Sequence, residues 1–465
     1  MRNYLSFSDF ADEILSKFSQ TGLESGLFSF CIKLPCRDLL DVYSLFIDQY
    51  KFSIFWEESN NTSYLVLDKC KYIKIEASNR FELAKNFNEE NFKKIIQLDS
   101  TYEFSCGSKI FYFLSFTNNI NKKESPNNVP NLEGVLPKIL IINDGDNIFM
   151  RMNVEIDLKT SIKDYIYEFW SVRSKIISEK NQKIDYQFNN ISINNFYLTF
   201  NQSYELLSQN ISKAIQLIND GSIDKLVLGY KLILKIKDSL NIIKILKRFK
   251  FYHPNSCRYV WKRNENDLIF GASPEKLFSY YDNKLILEAI AGTGLIGEDI
   301  DNSLKCEKNI REHNFVINYL IESLQLLNIN TFKKGKLSVK ECGNIAHLCT
   351  LIHADMNKLC PFKLLDILHP SPAVCGYPKD ESLRLISSLE NFDRGNYASP
   401  IGWVDNQGNA DFRVALRGAR IINGYIEFIA GSGLVKGSVC EKEIQEIKLK
   451  LESIAIQIFD DYLVN

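Results

Sequence analysis

Several stretches of this 465-residue chain carry side chains whose types and spacing could do chemistry. Glu443, Glu446 and Lys450 are spaced i, i+3 and i+7, so a helix would put them on one face. Two carboxylates and a lysine beside the apolar stripe Ile444, Ile447, Leu451 and Ile454 could hold a hard divalent cation and an anion. A solvated face with one Glu446–Lys450 ion pair, worth ~0.3–0.5 kcal/mol, satisfies the same spacing and is its commoner use. Strand alternation along Phe412–Ile422 puts Arg413, Ala415, Arg417, Ala419 and Ile421 on one face. Arg417 then sits between two alanines, with room above the guanidinium for bidentate capture of a carboxylate. A surface arginine on an edge strand has an equal claim.

Other candidates are single residues or short loops. Ala430–Ser438 reads AGSGLVKGS and Ala289–Gly294 reads AIAGTG. Their glycines would let backbone N–H groups approach an oxyanion, but neither has the GK[ST] or GxGxxG pattern of a phosphate loop. Lys225 opens an apolar strand. Turned inward it would lose charge to desolvation and act as a base; turned outward it would reach water. Ser273-Pro274-Glu275 follows a strand, and a desolvated Glu275 would hold a proton and serve as an acid, whereas in solvent it is a turn residue. His369, in the rigid LHPSPAVCG stretch, is a structural rather than a catalytic candidate.

The elements that must position these groups follow from periodicity and turn chemistry. Apolar residues Leu5, Phe10, Ile14, Leu15 and Phe18 predict an amphipathic helix at the N-terminus. Further helices are predicted near Ile162–Ile177, at Tyr204–Asp220, at Asn309–Leu327 and at Cys440–Tyr462. Strands are predicted at Ser63–Leu67, Ile139–Ile142, Lys225–Leu234, Asp267–Gly271 and Lys284–Ile290. Asn423-Gly424 between Phe412–Ile422 and Tyr425–Ile429 is a hairpin signal. Hairpin-linked strands with helices interspersed predict an α+β fold. Asn118–Gly134 reads as a surface loop and Ser178–Asn195 as a long connection. They divide the chain into residues 1–199, where chemistry signals are sparse, and residues 200–465, where they are dense.

Composition narrows the class. Hydrophobic residues make up 45% and charged residues 24%, the proportions of a globular chain and not of a disordered or fibrous one. The 56 basic and 57 acidic side chains nearly cancel, so no overall field draws nucleic acid or a membrane surface. No CxxC pair occurs among the 11 cysteines. Free thiols in a reducing, cytoplasmic setting are expected. The N-terminus lacks the apolar core of a signal peptide, and no run of about 18 uncharged apolar residues predicts a membrane span.

Read in order, the segments DKLVLGY, GASPEKLF, AIAGT, EKNIREHNFV, HLCTLIHA, LHPSPAVCGYPKDESLRLI, ENFDRGNYASPIGW, ALRGARI, AGSGLVKGS and EKEIQEIKLKL form one set. They resemble the chorismate-utilising enzyme family, and within it the isochorismate synthases. The resemblance spans roughly Lys225 to Leu451. It implies an α+β layered αββα sandwich with large antiparallel sheets, which residues 1–199 would complete as one unit with residues 200–465.

The resemblance also implies roles. Lys225 would be the general base that activates water for attack at C2 of chorismate. Glu275 would be the general acid that protonates the departing C4 hydroxyl. Glu312 and Glu446 would ligate Mg2+, with Glu443 helping directly or through water, and the metal would hold the ring carboxylate. Gly292 and Thr293 would contact that carboxylate as well. Arg417, Gly431 and Lys450 would receive the enolpyruvyl carboxylate, with Gly433 in the same substrate-binding segment. His347 and Ala373 would line the ring pocket. Chorismate is a dianion, so Mg2+ would supply positive charge that the side chains lack.

Subfamily markers point the same way. Ala291 stands where aminodeoxychorismate synthases carry a nucleophilic lysine. Lys225 stands where anthranilate synthases usually carry glutamine, which argues for water as nucleophile and against a glutamine amidotransferase subunit. Salicylate synthase, which also eliminates pyruvate, keeps this lysine and is the alternative, but LHPSPAVCG and FDRGNYASPIG follow the isochorismate synthase version. A non-catalytic member is free to lose Lys225, Glu275, Glu312 and Glu446, all of which are retained. The product of such an enzyme would feed menaquinone, siderophore or salicylate formation. Three positions depart from the family pattern: Ile444 and Ile429 replace aromatic residues, and Ser399 replaces glycine.

Overall fold

The computed structural model describes residues 6–99, 106–118, 129–179, 196, 199–201, 204–236, 239–296, 304–342 and 345–459. Most of the expected loop and most of the expected connection, at residues 119–128 and 180–195, lie outside the described residues. So does the end of the expected terminal helix, from residue 460. The described residues form an α+β fold with twenty strands, nearly all paired antiparallel.

The sheet branches at one long strand, Leu132–Asn143. It pairs with Ser63–Ile75 along its whole length, with Ile148–Ile156 at its C-terminal half and with Lys109–Leu114 at its N-terminal end. One branch runs through Ser53–Glu57, Cys257–Asn264, Asp267–Ser273, Gly418–Ile422 and Tyr425–Val435 to Lys225–Lys235. The other runs through Pro400–Asp405, Ala410–Val414, Lys276–Tyr281 and Lys284–Leu295 to Ile345–Asp355. Ser53–Glu57 pairs with Glu57↔Arg258 register, and Lys109–Leu114 pairs with Pro400–Asp405. Strands from before and after residue 200 therefore share both branches.

Side-chain alternation sorts the strands into layers. Ile54, Trp56, Tyr64, Val66, Phe111, Phe113, Trp261 and Trp403 belong to one buried cluster drawn from strands of both branches. Their sequence neighbours Phe55, Leu65, Leu67, Tyr112 and Val260 face the other way, into a larger core that also holds helix residues such as Phe10, Ile14, Phe169, Ile211 and Leu320. Two sheet faces thus meet each other and the outer faces meet helices, an αββα arrangement.

Local signals explain the elements. Ser6 caps the first helix, Phe7–Gln20, by accepting the Asp9 N–H at 3.2 Å. Asn423 and Gly424 both take positive φ, 49° and 79°, as the two-residue turn between Gly418–Ile422 and Tyr425–Val435 requires. Three expectations are corrected. The loop expected to run to Gly134 ends earlier, because Leu132–Gly134 pairs into the sheet. The AGSGLVKGS segment is largely strand: Tyr425–Val435 continues through Gly431 and Gly433 because Lys225–Lys235 pairs it throughout. The single strand expected over Phe412–Ile422 is broken into Ala410–Val414 and Gly418–Ile422.

Candidate active site

The break in that strand is the first determinant of the site. Arg417 has φ 52°, a left-handed conformation that stops the pleat and reverses the alternation around it. Ala415 packs in the inner cluster and Ala419 in the outer core, so the two alanines do not flank Arg417 on one face as the spacing suggested. Arg413 stays in a buried charge group with Asp411 and Glu58. Arg417 is released toward a cavity, where its Nη2 lies 3.2 Å from His347 Nε2 and its Nη1 donates to Ser453 Oγ at 3.4 Å.

Ten of the thirteen residues singled out in the sequence line that cavity: Glu275, Gly292, Thr293, Glu312, His347, Ala373, Arg417, Gly431, Gly433 and Lys450. They come from strands, loops and two helices of the C-terminal half, with Gly292 and Thr293 on one strand and Gly431 and Gly433 on another. Gly292 sits at a β-bulge between Ala291 and Thr293, with φ 79°, and a Cβ there would come within 3.0 Å of Asn309. Gly433 lies under the Glu312 carboxylate, where a Cβ would stand 2.1 Å from Oε1. Here glycine is needed for close approach and not for a turn.

The remaining three stand just behind the lining. Lys225 is fully buried, with Nζ 3.1 Å from Glu312 Oε1 but off the angle of a hydrogen bond. Glu446 accepts from Lys450 at 2.6 Å and from Thr293 Oγ1 at 3.1 Å. Glu443 is turned to Ser432 Oγ and to Lys308, whose Nζ is 2.7 Å away. Glu443 and Glu446 therefore share a helix, Cys440–Phe459, yet each is closed on its own lysine.

A hydrogen-bonded chain leaves the terminal helix, crosses to the sheet and returns to the same helix. It runs from Ser453 through Arg417, His347, Thr293 and Glu446 to Lys450, whose Nζ also donates to Gly431 O at 2.9 Å. Arg417 can only donate, so His347 Nε2 accepts and the ring proton belongs on Nδ1, beside Gly292 O and Thr293 Oγ1 at 3.3 Å each. Burial, and then the nearby Arg417 and Lys450 charges, pull His347 down to about 3, so the ring is neutral.

Two carboxyls are driven apart. Burial, reinforced by Glu288, pushes Glu275 up to about 8 against the pull of Lys225, Lys340 and Lys450. Burial also acts upward on Glu446, but Lys450 and Lys308 outweigh it and bring that carboxyl down to about 2. At neutral pH one carries a proton and the other a charge, which is the division of labour acid–base sites use.

Residues 13–458 match the family described as chorismate binding enzyme. The chain belongs to that family. The vibriobactin-specific isochorismate synthase of Vibrio cholerae is 26% identical over 54% of this chain and 66% of its own length. The isochorismate synthase MenF of Haemophilus influenzae is 29% identical over 52% of this chain and 57% of its own. The aligned part thus spans between half and two thirds of these relatives. The menaquinone-specific isochorismate synthase MenF of Escherichia coli shares the fold, with a TM-score of 0.74 at 20% identity over 96% of this chain and 99% of that one.

Within this chorismate-binding fold, the sequence motifs missed several contributors. Tyr397 lines the cavity from inside the FDRGNYASPIG stretch, and burial pushes its hydroxyl up to about 12. Lys308 and Ser432, which hold Glu443, lie one helix turn before Glu312 and between the two motif glycines. Glu390 accepts the Gly229 N–H at 2.6 Å and pairs with Arg394, which donates to Val227 O at 2.8 Å; together they brace the strand that carries Lys225. No signal of spacing marks the Lys308–Glu443 and Glu390–Gly229 contacts, because each spans elements distant in sequence. His369 is structural: its Nε2 donates to Phe116 O at 2.9 Å, away from the cavity. Of the departures, Ile429 lines the cavity, Ile444 packs in the outer core, and Ser399 is buried with its hydroxyl bonded to Leu114 O and Asn396 O.

The carboxylates also bear on a metal. Glu312, Glu443 and Glu446 are hard oxygen donors from two helices, and Glu446 is held ionised, which suits a divalent cation of the Mg2+ type in chemistry. Among the described residues no three such side chains form a ready cage. Each is instead paired with a lysine, the ordinary way a buried carboxylate is neutralised. Among the described residues, no helix is long and apolar enough to cross a membrane.

Proposed function

We propose that the protein is an isochorismate synthase, an isomerase that interconverts chorismate and isochorismate. The observation that carries this reading is Glu275: a carboxyl on the cavity wall that stays protonated to about pH 8 is a poised general acid at neutral pH. The names of the relatives point to the same activity.

The reaction balances without a redox partner. The free amine of Lys225 takes a proton from water as the water oxygen bonds to C2; the ring double bonds shift; the C4–O bond breaks and Glu275 gives its proton to the departing hydroxyl, which leaves as water. Arg417, with Nη2 oriented by neutral His347, would receive the enolpyruvyl carboxylate together with Lys450 and the backbone at Gly431 and Gly433. Gly292 and Thr293 would hold the ring carboxylate, and Ala373 leaves room for the ring. Glu312 and Glu446, with Glu443, would hold Mg2+, which when bound supplies charge to neutralise the ring carboxylate. The nucleophile in this scheme is water, so no amidotransferase subunit is required.

Incubation with chorismate and Mg2+ followed by chromatography tests the reading. Isochorismate is expected. Sustained pyruvate release without an added lyase would contradict it in favour of a salicylate synthase. Chorismate binding without turnover would contradict it in favour of a non-catalytic member.

A further inference from the structure

We infer that Glu288 is a positioning residue for the acid Glu275: its carboxylate holds the peptide that follows Glu275 and places a buried negative charge behind it. This rests on the proposed role of Glu275. Glu288 lies on the strand Lys284–Leu295 and is absent from the cavity wall, so it acts through its neighbour and not on substrate. Its Oε2 accepts the Lys276 N–H at 2.9 Å. Its Oε1 accepts from Lys340 Nζ at 2.7 Å and lies 3.5 Å from Cys349 Sγ.

These contacts complete a clamp on the turn that carries Glu275. The Glu275 N–H donates to Ser273 Oγ at 3.3 Å, and its carbonyl accepts the Val414 N–H at 3.1 Å. Glu288 fixes the next N–H. All three peptide groups around the acid are thereby held by side chain or strand, which leaves the carboxyl little freedom to drift from the cavity. The same carboxylate sits at 7% exposure, where a charge acts strongly on its neighbours. Glu275 is faced by Glu288 and Lys340 on its own branch of the sheet, by Lys225 on the other branch, by Lys450 on the terminal helix, and by Tyr397. Among these, Glu288 is the carboxylate. After burial it is the largest cause of the raised Glu275.

A carboxylate at this place therefore has two separable effects, a hydrogen bond to a peptide and a charge. Glu288→Gln keeps an oxygen for the Lys276 N–H and removes the charge; Glu288→Ala removes both. The test is the pH dependence of kcat/KM for chorismate isomerisation, with the infrared band of the protonated Glu275 carboxyl followed in the protein alone. The wild-type alkaline limb is expected near pH 8. In Glu288→Gln both readouts are expected to move down by about one pH unit, a tenfold change in ionisation constant. In Glu288→Ala the low-pH plateau is expected to fall further than in Glu288→Gln, by roughly tenfold, as the turn loosens.

An unmoved limb and an unmoved band in Glu288→Gln overturn the inference. If that variant does not fold, Lys340→Gln carries the test from the other side. It removes a cation that favours ionised Glu275, so the limb is expected to move up; an unmoved limb there overturns the inference equally. Glu275→Gln separates the role of the acid from that of Glu288. Wild-type turnover by Glu275→Gln contradicts the proposed acid itself. An inactive Glu275→Gln with an unmoved Glu288→Gln limb contradicts only the role of Glu288.

Discussion

Glu275 and Glu446 are both buried carboxyls at one cavity, and they are held in opposite states. Glu275 stands on a sheet turn with a second carboxylate, Glu288, behind it, and is pushed up to about 8. Glu446 stands on the terminal helix with Lys450 one turn on and Lys308 across from it, and is brought down to about 2. Burial acts upward on both, so burial does not choose the role. The sign of the nearest partner does. The sheet side of the cavity is built to hold a proton and the helix side to hold an anion or a cation.

Variants on the two sides should therefore separate. The largest effect is expected from Lys225→Ala. Loss of the base should lower kcat by ~10³-fold or more while Mg2+-dependent chorismate binding survives; normal turnover measured by product chromatography would remove Lys225 from the base role. Glu275→Gln should lower kcat by ~10²–10³-fold.

Glu275→Gln should also stabilise the fold, and the sign follows from linkage. A carboxyl whose ordinary value near 4.5 is raised to about 8 binds its proton more tightly folded than unfolded. Wild-type stability therefore falls as pH rises through that window, by on the order of 3 kcal/mol at pH 7. The glutamine variant lacks this loss. Its thermal midpoint should exceed that of wild type by a margin that widens from pH 5 to pH 8; a constant margin would contradict the raised carboxyl.

On the helix side, Glu446→Gln should raise the Mg2+ concentration needed for half-maximal rate by ~10-fold or more. An unchanged metal dependence would remove Glu446 from the ligand set. The smallest effect is expected from Arg417→Lys, which keeps the charge and loses the fork. KM should rise by ~10-fold, about 1.4 kcal/mol, with kcat changed less.

The sequence-based reading reached the helices and hairpins that repeat one simple signal. Lys225–Lys235, Tyr204–Asn219 and the Asn423-Gly424 turn are examples. It failed where long-range pairing overrides local chemistry. The glycines of AGSGLVKGS suggest a loop, but six ladder pairs with the strand Lys225–Lys235 hold residues 430–435 as strand. Arg417 looked like one more residue of an alternating strand because alternation cannot register a single positive φ. Ten candidate site residues do meet at one cavity. What the motifs could not supply is the layer behind it. Glu288 on Lys276 N–H crosses a hairpin from side chain to backbone, and Lys308 on Glu443 and Glu390 on Gly229 N–H are contacts between elements far apart in the chain. No periodicity encodes them.

The proposed reaction and its acid are tested together by the products formed from chorismate and Mg2+ by the wild-type protein beside Glu275→Gln. Wild type is expected to give a chorismate–isochorismate mixture with no pyruvate, and Glu275→Gln to give almost none of the isomer. Pyruvate accumulating with wild type, or isochorismate forming equally fast with the variant, would contradict the account.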